Sequence, residues 1–153
     1  MRVAVGADHQ GYLLRRDIIG ALKEAGHEVL DMGQDTPESS DYPDYARAVC
    51  KAIREGRAER GVLICGSGAG VSIAANKFPG IRAAMAHDCF TAHQGVEHDD
   101  VNVICLGSNV VGKWLALDIV AGFMKAEFAG LERQRRRVDK VEAIEREFGA
   151  DDR

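Results

Sequence analysis

Cysteine is scarce in this chain and never closely paired: Cys50, Cys65, Cys89 and Cys105 form no C-x-x-C spacing among 153 residues. A chain of this length buries enough apolar surface to fold without cross-links, so the thiols are expected reduced and no metal site is expected. No segment approaches the roughly 18 consecutive apolar residues of a membrane span. The opening "MRVAVGADHQ" lacks a long apolar run after its basic residue, so the reading is a cytoplasmic protein with no membrane contact. Positive charge is not in excess either. Lys and Arg total 20 against 24 Asp and Glu, a net charge of −4, which gives no general attraction to nucleic acid and makes any anion site a local affair. Repeats, linkers and low-complexity tracts are missing too, and the length suits one domain, 1–153, rather than two.

What is present is an alternation of short β-rich runs and helical patterns. "RVAVGA" (2–7), "HEVLDM" (27–32), "RGVLIC" (60–65), "IRAAMA" (81–86) and "NVICLG" (102–107) read as buried strands. Leu14, Ile18, Ala21, Leu22 and Ala25 recur at helical spacing up to Gly26, "DYARAVCKAIREG" (44–56) reads as a helix ending at glycine, and 112–128 as a strongly amphipathic one. Such alternation predicts a three-layer α/β/α domain with a five-stranded parallel sheet, Rossmann-like. The last segment, about 132–148, carries Val138, Val141, Ile144 and Phe148 as a narrow apolar stripe with no strand after it. With both sheet faces already covered, a second subunit is the natural place to bury that stripe, which predicts a homodimer and leaves a tetramer open.

In open parallel sheets ligands bind beyond the carboxyl ends of the strands. Asp8 and His9 follow the first expected strand, Cys65 and "GSGAG" the third, His87 and Asp88 the fourth, Gly107 and Ser108 the fifth. Glycines at 66, 68 and 70 let the backbone approach a ligand, and the amides that open the next helix face any anion there. The spacing departs from the dinucleotide pattern G-x-G-x-x-G because position 71 is valine, although Asp88 stands about where a ribose-binding acid would. A nucleotide-binding module, with Cys65 an ordinary core residue, therefore stays open as the alternative. The other reading is chemical: a thiol just before a helix N-terminus has its thiolate favoured. In the terminal helix Arg135 and Arg136 have Glu132 or Asp139 three or four residues away. Arg133 and Arg137 face each other with no acid at that spacing, a solvated patch or a pair suited to a phosphate dianion. His98, in "VEHDDVN" ahead of the fifth strand, reads as a loop histidine, and His27, His87 and His93 as structural.

Collected together, "VGADHQG", "SSDYPDYA", "LICGSGAGVSIAANKFPGIRAA", "EHDDVNVICLGS" and "RQRRRVDKVEAIE" closely resemble the family of ribose-5-phosphate isomerase type B and the galactose-6-phosphate isomerase subunits, in the family's order and over nearly the whole chain. The resemblance implies a homodimeric, cofactor-free aldose–ketose isomerase of phosphosugars with each site built from both subunits. It implies Cys65 as the catalytic base, the branch with a glutamate base having it where Val71 stands here. It assigns Ser67 and the 66–70 amides to the enediolate oxygens, Asp8 to a sugar hydroxyl, and His98 to ring opening. His9, Arg133 and Arg137 fall on phosphate-binding positions, and Tyr42 on the wall of the sugar pocket. Two departures bear on the substrate: Asp99 where many members have asparagine beside the enediolate, and Asn109 where many have arginine.

Overall fold

Alternate residues of the first strand face opposite ways, Val3, Val5 and Ala7 into one apolar layer and Ala4 into the other, as a sheet covered on both faces requires. The computed structural model describes residues 1–149; residues 150–153, included in the expected domain, lie outside the described residues. The elements run β1 (Arg2–Ala7), α1 (Tyr12–Glu24), β2 (Glu28–Asp31), α2 (Tyr42–Arg54), β3 (Arg60–Cys65), α3 (Ala69–Ala75), β4 (Ala83–Met85), α4 (Cys89–Asp99), β5 (Val103–Gly107), α5 (Lys113–Lys125) and α6 (Glu132–Gly149). All strand pairs are parallel, in the order β2-β1-β3-β5-β4. Helices α1, α4 and α5 cover one face with Ile18, Val96, Ile119 and Phe123. Helices α2 and α3 cover the other with Val49 and Val71. Each such side chain, when fully buried, contributes roughly 1.5–3 kcal/mol of transfer free energy.

The expected architecture is therefore present, with local differences. β4 is three residues long rather than 81–86, because only Ala83, Ala84 and Met85 find partners, in Val103, Ile104 and Cys105. α2 begins at Tyr42 rather than 44. Pro43 falls in its first turn, where a missing N–H leaves no helical acceptor unpaired. α5 ends at Lys125, since Ala126 turns to extended backbone, and it is not strongly amphipathic: Ile119 and Phe123 are buried while Trp114 and Leu115 on its first turn are exposed.

Two connections matter for function. α4 starts beyond the carboxyl end of β4 and returns to the amino end of β5, so its 11 residues carry the chain about 16 Å back across the sheet at 1.5 Å per residue. α6 then begins beside the end of α4, where the Ala129 N–H donates to the Glu97 carbonyl at 3.0 Å. It lies against the amino-end turn through Gly80 N–H to Glu145 at 2.9 Å and Arg82 to Glu142 at 3.7 Å. Contrary to a stripe wholly reserved for a partner, Val138 is buried within its own chain, whereas Val141, Ile144 and Phe148 remain exposed.

Candidate active site

Cys65 is the last residue of β3 and its side chain is 5% exposed, on the α2/α3 face of the sheet. The Gly68 N–H donates to its Sγ at 3.2 Å, so the loop that leaves the strand folds back over the sulfur. Gly68 can do this because its φ is +82°, and a side chain there would meet the backbone of Leu106 and Gly107 at 3.0–3.1 Å. Ser67 accepts the Ala69 N–H at 3.2 Å through Oγ, leaving its hydroxyl proton free to donate. Tyr42, from the first turn of α2, lays its ring on Gly70, where an added Cβ would fall 2.8–3.0 Å from three ring carbons.

Three neighbouring segments close on this loop. The Asp8 N–H reaches the Ile64 carbonyl at 3.3 Å, and Asp8 is 4% exposed with its Oδ1 accepting the Gln10 N–H at 2.9 Å. Ser108 N–H donates to the Cys65 carbonyl at 2.9 Å and Asn109 N–H to the Gly66 carbonyl at 3.0 Å. The Asn109 carboxamide stands beside Gly66, 3.2 Å from where a Cβ would be. Ser108 Oγ ties this turn to the Gln10 carbonyl at 2.8 Å. His9 exchanges bonds with Ser40, whose Oγ accepts the His9 N–H and whose N–H donates to His9 Nδ1, both at 3.2 Å. The structure thus gathers Asp8, His9, Tyr42, Cys65, Gly66, Ser67, Gly68 and Gly70 at the carboxyl end of the sheet.

It does not bring the remaining candidates there. His98 is not in a loop but in the last turn of α4, because the helix runs on to a C-cap at Asp100 with φ +51°. The Gln94 amide donates to its Nδ1 at 3.0 Å, leaving Nε2 to carry the proton of the neutral ring. Asp99 lines a cleft of about 330 Å³ with Arg82, Val138, Val141 and Glu142, at the amino end of the sheet. Arg133 and Arg137 leave the first turns of α6 at that same end and are exposed. Arg136 pairs with Glu132 at 2.8 Å as the spacing predicts, but Arg135 donates to the Gly130 carbonyl at 2.6 Å instead of taking an acid. On a helical wheel of 100° per residue Arg133, Arg137, Val141, Ile144 and Phe148 fall within about 80°, so the two cations border the uncovered apolar stripe. His98, Asp99, Arg133 and Arg137 thus all lie toward the amino end of the sheet, away from the first group.

Asp88 has a local structural partner. It caps α4, Oδ1 accepting the Thr91 N–H and Oδ2 its hydroxyl, both at 2.7 Å, and these bonds hold its carboxyl below the ordinary aspartate range. His87 accepts the Gly107 N–H at Nε2, 2.8 Å. Residues the sequence reading does not single out also shape the site: Ser40 through His9, and Arg15, buried at 1% exposure between Asp31 and Asp35. The signal for Arg15 is its place on the core stripe, four residues before Ile19.

Comparison with known proteins identifies the relatives of this chain. A model of the family described as ribose/galactose isomerase matches residues 3–141. Ribose-5-phosphate isomerase B of Escherichia coli (strain K12) is 44% identical over 144 residues, covering 94% of this chain and 96% of that protein. D-erythrulose-4-phosphate isomerase of Pectobacterium atrosepticum is 40% identical over 131 residues, 85% and 86% of the two chains. Among solved structures, ribose-5-phosphate isomerase B of Clostridium thermocellum aligns with a TM-score of 0.94 at 48% identity, over 97% of this chain and 99% of that one. The Mycoplasma genitalium ribose-5-phosphate isomerase B with bound ribulose 5-phosphate gives 0.91 at 37% identity, over 95% and 97%.

Proposed function

Since the chain belongs to the ribose/galactose isomerase family, we propose that it interconverts ribose 5-phosphate and ribulose 5-phosphate by proton transfer through an enediolate, with Cys65 as the base. The observation that carries the assignment of the base is the Cys65 sulfur itself: nearly buried, at a strand end, and 3.2 Å from a loop amide. In the open-chain sugar the thiolate takes the proton from C2 and the electron pair passes to the C1 carbonyl oxygen. The thiol then returns that proton to C1 while the O2 hydroxyl proton passes to O1, which leaves O2 as the ketone oxygen and the sulfur as the thiolate. Hydrogen moves within one molecule, so the reaction consumes no oxidant or reductant, in keeping with the expectation of no cofactor. Ser67 and amides of the 66–70 loop donate to the enediolate oxygens, where negative charge develops, the Gly68 and Ala69 N–H groups turning from Cys65 Sγ and Ser67 Oγ to do so, and such donors act most strongly in a site shielded from water. Asp8 accepts from a sugar hydroxyl, and Tyr42 walls the pocket. His98 moves the proton from the C1 hydroxyl to the ring oxygen in the opening step.

The separation of the two clusters supports a shared site in a homodimer. His98, Asp99, Arg133 and Arg137 lie across the sheet from Cys65 in one chain, yet the chemistry needs a ring-opening group and phosphate cations beside the base. A partner related by a two-fold axis supplies them twice over, each chain giving its amino-end cluster to the other's carboxyl-end cluster. The exposed Val141, Ile144 and Phe148 would be covered in that contact. On this reading the whole chain acts as one isomerase domain, with no nucleic acid or membrane partner, and a cytoplasmic location suits a phosphorylated metabolite.

A second substrate is favoured by Asp99 and Asn109. An ionised Asp99 cannot donate to an enediolate oxygen, and Asn109 brings no cation to the Gly66 turn; the similarity to a D-erythrulose-4-phosphate isomerase has the same direction. A panel of ribose 5-phosphate, galactose 6-phosphate, allose 6-phosphate and erythrulose 4-phosphate, assayed for interconversion, tests both readings. Ribose 5-phosphate clearly best means the two residues are tolerated variation. Another phosphosugar turning over best would transfer the assignment to it, and no turnover of any member would remove the proposed function.

A further inference from the structure

The 32–41 connection has no regular structure and is rich in acids and hydroxyls, "MGQDTPESSD". Free chain of that composition would be mobile, yet it is fastened at three places. Arg15 of α1, fully buried, sends Nη1 to Asp31 Oδ1 at 3.0 Å and Nη2 to Asp35. Gly33 rests directly on that guanidinium, since a Cβ there would collide with Arg15 Cδ and Nη1. The Gln34 amide donates to the Thr36 and Glu38 carbonyls at 2.7 and 2.8 Å, and its Oε1 accepts the Tyr45 hydroxyl at 2.5 Å. The far end of the same connection is Ser40, bonded twice to His9.

We propose that Arg15 is a positioning residue for substrate binding: by anchoring the 32–41 connection it holds Ser40 against His9, and so fixes His9 as the tautomer whose Nε2–H faces outward as a donor for the phosphate. The chemistry follows from the bond directions. A backbone N–H can only donate, so His9 Nδ1, facing the Ser40 amide, is an acceptor and the neutral ring carries its proton on Nε2. An imidazole without that amide would divide between two tautomers and several rotamers, and only a fraction of molecules would present a donor. A binding-competent fraction below one raises the apparent dissociation constant in proportion. Neither Asp35 nor Arg15 is among the residues assigned above to the sugar, so their effect is argued to pass through Ser40 and His9. The link to phosphate rests on the function proposed above; the link from Arg15 to His9 does not.

The test uses Asp35→Asn, whose side chain is 71% exposed and tolerates exchange, alongside Arg15→Lys, with melting temperature and far-ultraviolet circular dichroism as checks of folding. Long-range ¹H–¹⁵N correlation, recorded across a pH series so that the neutral ring is observed, reports the His9 tautomer directly. In the parent protein the Nε2–H pattern is expected. In both variants it should give way to averaged nitrogen shifts, while KM for ribose 5-phosphate rises about ten-fold and kcat stays within about two-fold, the pattern of lost substrate binding with the chemical step intact. A His9 pattern unchanged in the folded Asp35→Asn and Arg15→Lys proteins overturns the anchoring. Loss of the pattern with KM unmoved overturns the link to substrate, and with it the placing of His9 at the phosphate.

Discussion

Within one chain Cys65 and His98 lie at opposite ends of the sheet: Cys65 closes β3 at its carboxyl end, while His98 ends the helix that returns to the amino end of β5. The proposed base and the proposed ring-opening group of a single reaction are thus carried on the two ends of one subunit.

Replacing the sulfur should separate chemistry from binding. Cys65→Ala removes the proposed base, a group needed only in the transition state, so kcat is expected to fall roughly 10²- to 10⁴-fold, the usual worth of a positioned base, with KM little changed. Calorimetry should still detect sugar-phosphate binding. A variant retaining most of its kcat would take Cys65 out of the mechanism.

Two glycines near the sulfur should respond differently to the same methyl group. At Gly107 a Cβ would fall 2.6 and 2.7 Å from the Ser67 backbone carbon and oxygen, atoms that cannot rotate away, so Gly107→Ala should cost about 1–3 kcal/mol of stability as well as activity. At Gly70 the obstacle is the Tyr42 ring, a side chain that is partly exposed and free to swing. Gly70→Ala should therefore melt close to the parent and raise KM several-fold. Urea unfolding and steady-state kinetics of the two proteins compare them, and a Gly107→Ala protein as stable as Gly70→Ala would refute the distinction.

How much of this was legible in the sequence depends on the range of the interaction. β1 and β3 span the residues of their apolar runs, and the glycine loop after Cys65 announced its own turn, because local pattern decides both. The end of the sheet that holds His98 follows from topology, since residues just ahead of a parallel strand sit at its amino end; the helix that carries it gives little sequence signal because α4 buries only Ala92, Gly95 and Val96, too small a stripe to read as a helix through position 98. The contacts of Arg15 with Asp31 and Asp35, of Ser40 with His9, and of Tyr42 with Gly70 were not legible. Each joins segments whose separation in space is set by the whole fold.

The buried thiols should shape stability at alkaline pH. Burial pushes Cys50 from its ordinary 9.0 up to about 11 and raises Cys105 as well. An acid whose folded pKa lies above its unfolded one holds its proton longer in the folded state. Its contribution is complete below about pH 9 and is lost as pH rises from about 9 toward 11, at about 1.4 kcal/mol per unit for the one group. Urea unfolding across that window should show the decline, and Cys50→Ala should make it shallower. Equal slopes in the two proteins would mean that Cys50 is not responsible.

Mixing inactive chains reads the division of the site directly. If the carboxyl-end cluster of one chain works with the amino-end cluster of its partner, Cys65→Ala combined with the Arg133→Ala, Arg137→Ala chain gives heterodimers with one site doubly defective and one intact. Half the dimers are heterodimers on random exchange and half their sites are whole, so up to about a quarter of parent activity should return. The same recovery is expected for Cys65→Ala with His98→Ala, because those residues come from opposite ends. No recovery is expected for Cys65→Ala with Ser67→Ala, or for His98→Ala with the double arginine variant, because each of those pairs damages one cluster and leaves every site defective. Subunit exchange is verified independently by mass-labelled chains. Silence in the first two mixtures despite exchange would mean that each site is built within one chain, and would return Arg133 and Arg137 to an ordinary solvated patch.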